Sequence, residues 1–225
     1  VKTGSHYGFG GYYAMYAAEQ GMIGIAAANA AALVTPFGGA KGMLGTNPLS
    51  IAVPGGQGPQ FVLDMATSEA AMGKIDLAYR EGKQIPDTWA LDSEGHRTTD
   101  PGRVVGHKGA LLPFGGAKGY GLALLIELLC CCLGGSCSSM EVNPAFDHTE
   151  LPFGAGYFMA AIDVSKFMDL DQFCQRVDSL FADIKACPPA AGFHEVMIPG
   201  EIEARKCEAS RISGVELPDA VVEEM

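Results

Sequence analysis

A glycine-rich heptapeptide, PFGGAKG, occurs twice in this chain, at residues 36–42 and 113–119. It constrains the fold because glycines adopt backbone conformations that other residues avoid, and they let backbone N–H groups approach a ligand closely. The lysine near the end of each copy adds a mobile positive charge for a phosphate or a carboxylate. The flanks of the two copies do not match, so the chain is not a duplicated domain. A pair of glycine turns without a binding role is the alternative interpretation.

The second copy leads directly into the most apolar stretch of the chain, residues 122–133. This stretch is too short to span a bilayer, and it predicts a buried helix. The N–H groups and the positive dipole end at a helix start favour a bound anion. Lys118 lies at this start, where the dipole slightly disfavours a cation, and this mismatch indicates a functional role for the lysine.

The composition excludes several classes of protein. The 225 residues include 15 basic and 26 acidic side chains, giving a net charge of −11, which argues against nucleic-acid binding and against binding to an anionic membrane. A hydrophobic fraction of 48% supplies a sizeable core. The seven cysteines contain no C-x-x-C pair, so we expect free thiols in a reducing cytoplasm and no metal site.

Short apolar runs alternate with helical patterns, which predicts a mixed α/β or α+β fold. We expect a single unit over residues 1–225, whose C-terminal helical part, 166–225, packs back on the core. Ser68 is the expected N-cap of the second helix. The predicted strands are 22–28, 50–53, 60–63, 157–164 and 195–198, and the predicted helices are 10–20, 69–81, 118–133, 170–186, 201–213 and 217–225.

Two familiar phosphate-binding patterns are missing. The dinucleotide fingerprint G-x-G-x-x-G fails because Tyr13 and Leu124 stand where its third glycine is needed. The P-loop pattern fails because neither Lys41 nor Lys118 is followed by Ser or Thr. A Rossmann unit is therefore not supported. An enzyme that forms a Schiff base through one of these lysines stays an alternative.

His6 is the histidine best suited to proton transfer. Its neighbours are small, a helix follows it, and an imidazole titrates near neutral pH. His96 and His107 lie in turn-rich polar stretches, and His148 lies in an acidic cluster, which indicates solvated rings at all three positions.

Short motifs follow one another across nearly the whole chain. They are GSHYG at 4–8, YYAM at 12–15, AAEQG at 17–21, PFGG at 36–39, LGTNP at 44–48, DMATS at 64–68, IPDTW at 85–89, KGYGL at 118–122, and PP at 188–189 through PGE at 199–201. In this order and spacing the motifs resemble the malate/L-lactate dehydrogenase family of the non-Rossmann type.

The resemblance implies an oxidoreductase that moves a hydride between NAD or NADP and a small 2-hydroxy acid/2-oxo acid pair. It implies a largely antiparallel central sheet with flanking helices, and a homodimer. His6 would be the general acid/base, and Asn47 in the first loop would shape the substrate side. The cofactor-binding positions carried over are Ala30 (where the family often has a hydroxyl), Asp64, Met65, Ala66, Lys118, Gly200, Glu201 and Ile202.

Chains of this family begin with a helical segment that carries another His and an Arg for the substrate carboxylate. The printed sequence begins after that segment, so we expect a fragment or a truncated gene product. The alternative function is therefore a truncated, non-catalytic module for cofactor binding or dimerisation. The substrate stays open among malate, lactate, sulfolactate, ureidoglycolate, diketogulonate and a cyclic imino acid.

Overall fold

The computed structural model describes residues 1–106, 108–144 and 151–215. In chain order its helices and strands are α1 (Gly10–Ala18), β1 (Met22–Ala28), β2 (Leu49–Ala52), β3 (Val62–Met65), α2 (Met72–Arg80), β4 (Ala90–Leu91), β5 (Ala110–Leu111), α3 (Ala117–Glu127), β6 (Tyr157–Asp163), α4 (Leu170–Lys185) and α5 (Glu201–Ser213). The main sheet has the order β3-β2-β1-β6, and all its neighbouring strands are antiparallel. The prediction of a mixed α/β fold with a largely antiparallel sheet is confirmed.

Helices cover both faces of this sheet because β1 carries small residues on each side. An added Cβ at Gly24 would overlap the carbonyl oxygen of Ala14, so α1 lies directly on this face of the strand. Successive strand residues point to opposite faces. Ala27 accordingly packs on the other face, against Ile126 of α3 and Cys130 of the turn that follows it. The sheet is therefore the middle layer between α1 and α3.

A second core holds the two-stranded β4–β5 sheet and α2. Its members are buried apolar side chains from separate parts of the chain: Val34, Ile75, Ile85, Ala90, Val104 and Leu111. Because Val34 and Leu111 both belong to this core, it anchors the segments that precede the two heptapeptides.

The two heptapeptides leave this core side by side. Val34 and Leu111, each two residues before a copy, form a parallel bridge. Gly38 and Gly115 then adopt positive φ angles of 83° and 55°. The next glycine in each copy donates its N–H to the proline carbonyl, Gly39 to Pro36 at 2.9 Å and Gly116 to Pro113 at 3.2 Å. The two copies therefore share the first part of a turn, through Gly38 and Gly115, and they diverge at the second glycine, because Gly116 has φ +64° whereas Gly39 does not have a positive φ angle.

The predicted helix over 118–133 is present as two consecutive segments of different helix type. The α-helical part, α3, ends at Glu127, and the chain continues as a π-helix over Leu128–Leu133. Within the π-helical turn Cys130 is buried, and its Sγ lies 3.7 Å from the carbonyl oxygen of Ala27. Burial raises the pKa of the Cys130 thiol to about 11. This thiol therefore packs as a small apolar group against the sheet.

Two local predictions are wrong. Residues 195–198 do not form a strand, because their backbone groups pair with side chains: Val196 accepts from Lys185 and Ile198 donates to Glu201. Helix α2 begins at Met72 after Ala71. The reason is that residues 67–70 first pair with the second heptapeptide segment, and the Ser68 hydroxyl donates to Ala70 instead of capping the helix.

Helix α4 contacts the segment before β3. The rings of Phe181 and Phe61 lie 6.4 Å apart, and the Asp178 carboxylate accepts the backbone N–H groups of Gln57 and Gly58. The single-unit prediction, with a C-terminal part over 166–225, stays a prediction. The predicted helix over 217–225, together with His107 and His148, lies outside the described residues. None of the helices in the described ranges combines the length and apolar character that a membrane crossing requires.

Candidate active site

The strand register brings four segments to one end of the main sheet. Ala27 pairs with Leu49, Leu49 pairs with Met65, and Ala28 pairs with Tyr157. Because the strands are antiparallel, the ends of β1 and β3 and the starts of β2 and β6 meet here. We call this the site end of the sheet.

Three of the predicted site residues lie just beyond this end. Ala30 follows β1, Asn47 precedes β2 and Ala66 follows β3. The N–H of Ala30 donates to the Asn47 side-chain oxygen at 3.2 Å, and the Thr67 hydroxyl donates to the Asn47 carbonyl at 3.1 Å. The structure thus brings these three segments together through Asn47.

The side chain of Asn47 is committed to the fold. The residue is fully buried with φ +32°, and its amide nitrogen donates to the Ala123 carbonyl at 3.0 Å and to Glu127 at 2.9 Å. Its oxygen accepts from Ala30. The side chain therefore ties the site end to α3, and a substrate contact by Asn47 stays a prediction.

Glu127 is a site-supporting residue that the sequence reasoning missed. Its buried carboxylate accepts four hydrogen bonds, from Asn29 (3.3 Å), Asn47 (2.9 Å), and the N–H and hydroxyl of Ser139 (2.6 Å each). The available signal was a lone carboxylate inside an apolar helix, since such a group is rarely buried without partners. These bonds join α3 to the segments that follow β1 and precede β2.

Asp64 couples α1 to the sheet. One carboxylate oxygen accepts the N–H of Gly11 in the first turn of α1 at 3.1 Å, and the other accepts the Ser50 hydroxyl at 2.6 Å. A carboxylate at this place satisfies a helix-start N–H that the N-cap, Phe9, leaves free. Asp64 nevertheless remains exposed, so a ligand can still reach it.

Three tyrosines hold the segment that carries His6. The ring of Tyr7 stacks between those of Tyr13, at 5.7 Å, and Tyr157, at 5.3 Å. The Tyr157 hydroxyl also donates to the carbonyl of Ser5. This tyrosine stack fixes the residues on both sides of His6 next to the site end.

The Tyr7 hydroxyl is buried beside Ser50 and stays protonated. Burial, together with the nearby charge of Asp64, raises the pKa of Tyr7 to about 12. No hydrogen-bond partner of the hydroxyl is found in the part of the chain that the structure describes. The tyrosine therefore acts here as a neutral packing element.

His6 itself is exposed, and its Nδ1 accepts the N–H of Gly8 at 3.1 Å. An accepting nitrogen carries no proton, so this hydrogen bond assigns the proton of the neutral ring to Nε2. Nε2 is therefore the nitrogen that faces a reaction partner as a donor in this arrangement.

Lys118 reaches the same region from α3. The Ser68–Pro113 bridge joins the segment after β3 to the second heptapeptide, and Lys118 lies in the first turn of the helix that follows. Its side chain is exposed and has no ion pair or hydrogen bond within the described ranges. A free cation beside the site end is available to an anionic ligand.

Gly200, Glu201 and Ile202 lie at the opposite end of β3. Val62, the first residue of that strand, donates its N–H to the Pro199 carbonyl at 2.9 Å. Gly200 has φ +98° and packs against Val62 so closely that an added Cβ would lie 3.0 Å from the Val62 Cβ. Only glycine suits this conformation and this space. Helix α5 then begins at Glu201, leaving helix-start N–H groups without intrahelical partners.

The carboxylate of Glu201 is already bonded to other residues of the chain. It is buried, both its oxygens lie 2.8 Å from Lys185 Nζ, and one accepts the Ile198 N–H at 2.7 Å. Burial raises the pKa of Glu201, but the hydrogen bonds from Lys185 and Ile198 outweigh it and leave the pKa below its ordinary value. A cofactor contact at this position would therefore use the backbone.

The predicted cofactor residues thus form two groups joined by one strand. A strand rises about 3.4 Å per residue, so Val62 and Ala66 lie about 14 Å apart. The group at Ala66 includes Asp64, Met65, Ala30 and Lys118, and the group at Val62 includes 200–202. An elongated ligand along β3 would reach both.

The chain belongs to the malate/L-lactate dehydrogenase family, whose family model matches residues 1–225. It is 40% identical over 224 residues to an L-sulfolactate dehydrogenase of Methanothermobacter thermautotrophicus, covering 99% of this chain and 62% of that protein. It is 35% identical to a ureidoglycolate dehydrogenase (NAD(+)) of Escherichia coli K12, covering 98% of this chain and 62% of that protein.

The fold agrees with a solved structure of the same family. A sulfolactate dehydrogenase from Methanocaldococcus jannaschii superposes with a TM-score of 0.87 at 42% identity, over 96% of this chain and 61% of that one. The chain therefore spans about three fifths of the length of the relatives it matches. Membership of the family confirms the resemblance drawn from the motifs.

Proposed function

We propose that the protein is an oxidoreductase that transfers a hydride between NAD or NADP and a small 2-hydroxy acid/2-oxo acid pair. The observation that carries this proposal is the gathering of His6, Asp64, Ala66 and Lys118 around one end of the sheet. The names of the relatives, dehydrogenases of sulfolactate and ureidoglycolate, support the same class of reaction.

The residues present fit a dinucleotide. Lys118 offers an unpaired cation, and the start of α5 offers helix-start N–H groups, which suit negatively charged phosphates. The exposed Asp64 carboxylate can accept hydrogen bonds from hydroxyl groups. When bound, the nicotinamide supplies or accepts the hydride.

His6 would move the substrate proton. In reduction, the charged ring donates the Nε2 proton to the oxygen of the substrate carbonyl as negative charge develops there. In oxidation, Nε2 accepts the hydroxyl proton, which requires the neutral ring to carry its own proton on Nδ1. The hydrogen bond from Gly8 to Nδ1 must therefore open during the cycle. Gly8, with φ +73° and open space around it, permits that movement.

The substrate, assembly and compartment belong to the same proposal. A small 2-hydroxy acid of the sulfolactate, malate or lactate type is the expected substrate. We place the protein in the cytoplasm as a homodimer. The exposed aromatic side chains of Phe9, which precedes α1, and of Tyr12 and Tyr16 on α1 offer an apolar surface for a second copy. The seven free thiols suit a reducing compartment.

The alternative is a module that binds the cofactor without turnover. The chain spans about three fifths of the length of its relatives, and substrate-binding groups of those proteins can lie in the part that it does not match. Enhanced NADH fluorescence without oxidation of NADH by any 2-oxo acid would favour this alternative.

Replacing His6 tests the acid/base role. We expect His6→Ala to lower kcat about a hundredfold or more while the Kd for NADH stays unchanged, since the side chain acts on the substrate proton. His194→Ala is the matched control, because His194 is also exposed but lies in the segment before α5. Turnover of His6→Ala close to that of the unmodified protein would remove His6 from the chemistry.

A further inference from the structure

The two heptapeptide turns enclose a cleft that none of the assigned roles uses. It has a volume of about 480 Å³, and it is lined by residues of both copies and by the β4 region. This volume is typical of small-molecule sites. The walls are largely apolar and include Phe37, Leu91 and Leu112. Phe37 is 62% exposed, so one face of this aromatic ring is available to a ligand.

One cation and one carboxylate line this cleft, and they are not paired with each other. Arg97 has no ion pair or hydrogen bond from its side chain among the residues that the structure covers. Glu69 accepts only the N–H of Gly115, at 3.2 Å, and forms no ion pair with any described residue. The cleft therefore carries two separated opposite charges between apolar walls, and its net charge is zero.

One residue that lines the cleft has a buried hydroxyl without a hydrogen-bond partner among the described residues. Thr35 lines the cleft and is 1% exposed, and its Oγ1 has no hydrogen-bond partner in the described ranges. Burying a hydroxyl without a partner destabilises a fold. Because this oxygen is closed off from solvent, it is not a contact for a ligand in the cleft, and recognition there would depend on the two charged side chains and the apolar walls.

We propose that this cleft binds a free α-amino acid with an apolar side chain. The ligand carboxylate faces Arg97, the ligand ammonium group faces Glu69, and the side chain lies against Phe37 and Leu112. A simple anion matches this lining less well because it leaves the Glu69 carboxylate opposed to it. A simple amine leaves Arg97 without a partner in the same way. Charge separation within the ligand matches charge separation within the cleft.

The cleft is distinct from the proposed cofactor residues. Lys118 and residues 64–66 are not among its lining residues, and residues 200–202 lie at the far end of β3. The proposal therefore does not depend on the dehydrogenase activity. It predicts that an amino acid and NADH bind to the protein at the same time.

Trp89, the single tryptophan of the chain, provides a direct readout. It lies next to the lining residue Thr88, and its carbonyl accepts the N–H of Leu112. The experiment titrates the protein with L-leucine and follows Trp89 fluorescence. Two analogues serve as probes: 4-methylpentanoate lacks the ammonium group, and 3-methylbutylamine lacks the carboxylate. We expect saturable binding of leucine at least about tenfold tighter than that of either analogue, because each analogue gives up one charged contact.

Two substitutions test which group of the ligand each charged side chain contacts. Arg97→Gln should abolish the advantage of leucine over 3-methylbutylamine, and Glu69→Gln should abolish its advantage over 4-methylpentanoate. Glu69→Gln keeps a side-chain oxygen for the Gly115 N–H, so the turn is preserved. Arg176→Gln is the control for loss of charge, because Arg176 is an exposed arginine on α4 without an ion pair among the described residues. It should leave leucine binding unchanged.

Three results would overturn the proposal. One is the absence of a saturable change in Trp89 fluorescence with leucine at millimolar concentrations. Another is equal binding of leucine and 4-methylpentanoate to the unmodified protein, which would mean that the cleft recognises only an anion. The last is loss of leucine binding in Lys118→Gln, which would place the amino acid at the proposed cofactor residues instead.

Discussion

The first heptapeptide turns back on itself, whereas the second continues into a helix. After residues 36–42 the chain returns to the segment that precedes the copy, and Met43 and Leu44 donate their N–H groups to the Val34 carbonyl. After residues 113–116, helix α3 begins at Ala117. A seven-residue identity therefore fixes the start of a turn, with a positive φ at Gly38 and at Gly115, but not the element that follows it.

The difference arises from the residues downstream. After the first copy come Gly45 and Pro48, which interrupt a helix. After the second copy comes an apolar run whose Ala123 and Ile126 are buried. Tertiary burial of one helix face supplies most of the stability of a short helix. The second copy thus becomes a helix start because the segment beyond it can be buried.

The largest loss of stability is expected when the hydrogen bonds of Glu127, which hold α3 in place, are disrupted. Glu127→Gln replaces a buried carboxylate that accepts four hydrogen bonds, and the new amide group turns donors toward the donors of Asn47 and Ser139. We expect a loss of about 3 kcal/mol in the free energy of unfolding, measured by urea denaturation.

Glu141→Gln is the matched control for this prediction. The Glu141 carboxylate also accepts two hydrogen bonds from a serine, Ser138, but it is exposed. A cost similar to that of Glu127→Gln would show that burial of the network does not matter.

The next largest effect is expected at the last glycine of each copy, where the surrounding packing differs. An added Cβ at Gly119 would overlap the carbonyl oxygen of Phe114, which no change of rotamer relieves. An added Cβ at Gly42 would lie 3.1 Å from the Leu33 carbonyl carbon, a contact that a small shift relieves. We expect Gly119→Ala to cost about 2 kcal/mol and Gly42→Ala less than half of that, by thermal unfolding. Equal costs would contradict the different packing of the two copies.

The two lysines should differ in cofactor binding. Lys118→Gln is expected to raise the Kd for NADH about tenfold, because the charged contact from the start of α3 is lost. Lys41→Gln is the matched control within the identical heptapeptide, and it should leave the Kd unchanged. NADH fluorescence gives both constants. A larger effect at Lys41 would move the cofactor to the first copy.

The smallest loss of stability is expected at the first glycine of each copy, where both copies have a positive φ. Gly38 and Gly115 have positive φ angles and open space where a Cβ would be added. Gly38→Ala and Gly115→Ala should therefore each cost about 1 kcal/mol, through backbone strain alone. A difference of more than about 0.5 kcal/mol between them, in the same thermal assay, would show that the turns are not equivalent.

The sequence predicts much of the fold because its local signals agree with its tertiary packing. Strand β1 was predicted with its observed ends, since its apolar run is bounded by Gly21 and Asn29. The start of α2 was misplaced because Ser68 is an ordinary capping residue. Its segment instead pairs with the second heptapeptide, a contact between residues far apart in sequence.

At the candidate site, too, the sequence predicts local features but not contacts between distant residues. Motif resemblance predicts His6, Asp64 and Lys118 as functional residues, and the register of the sheet then explains how the segments after β1 and β3 meet. The hydrogen bond between Glu127 and Asn29 and the stacking of Tyr7 on Tyr157 join residues about a hundred or more positions apart. A local pattern contains no information on such contacts.

Transfer of deuterium tests the central claim most directly. The protein is incubated with NADH or NADPH deuterated at C4 and, separately, with pyruvate, oxaloacetate and 3-sulfopyruvate. We expect deuterium at C2 of the 2-hydroxy acid from at least one pair, detected by mass spectrometry, and its loss in His6→Ala. Cofactor that binds to the protein but gives no deuterium at C2 of any product would contradict the assignment as a dehydrogenase.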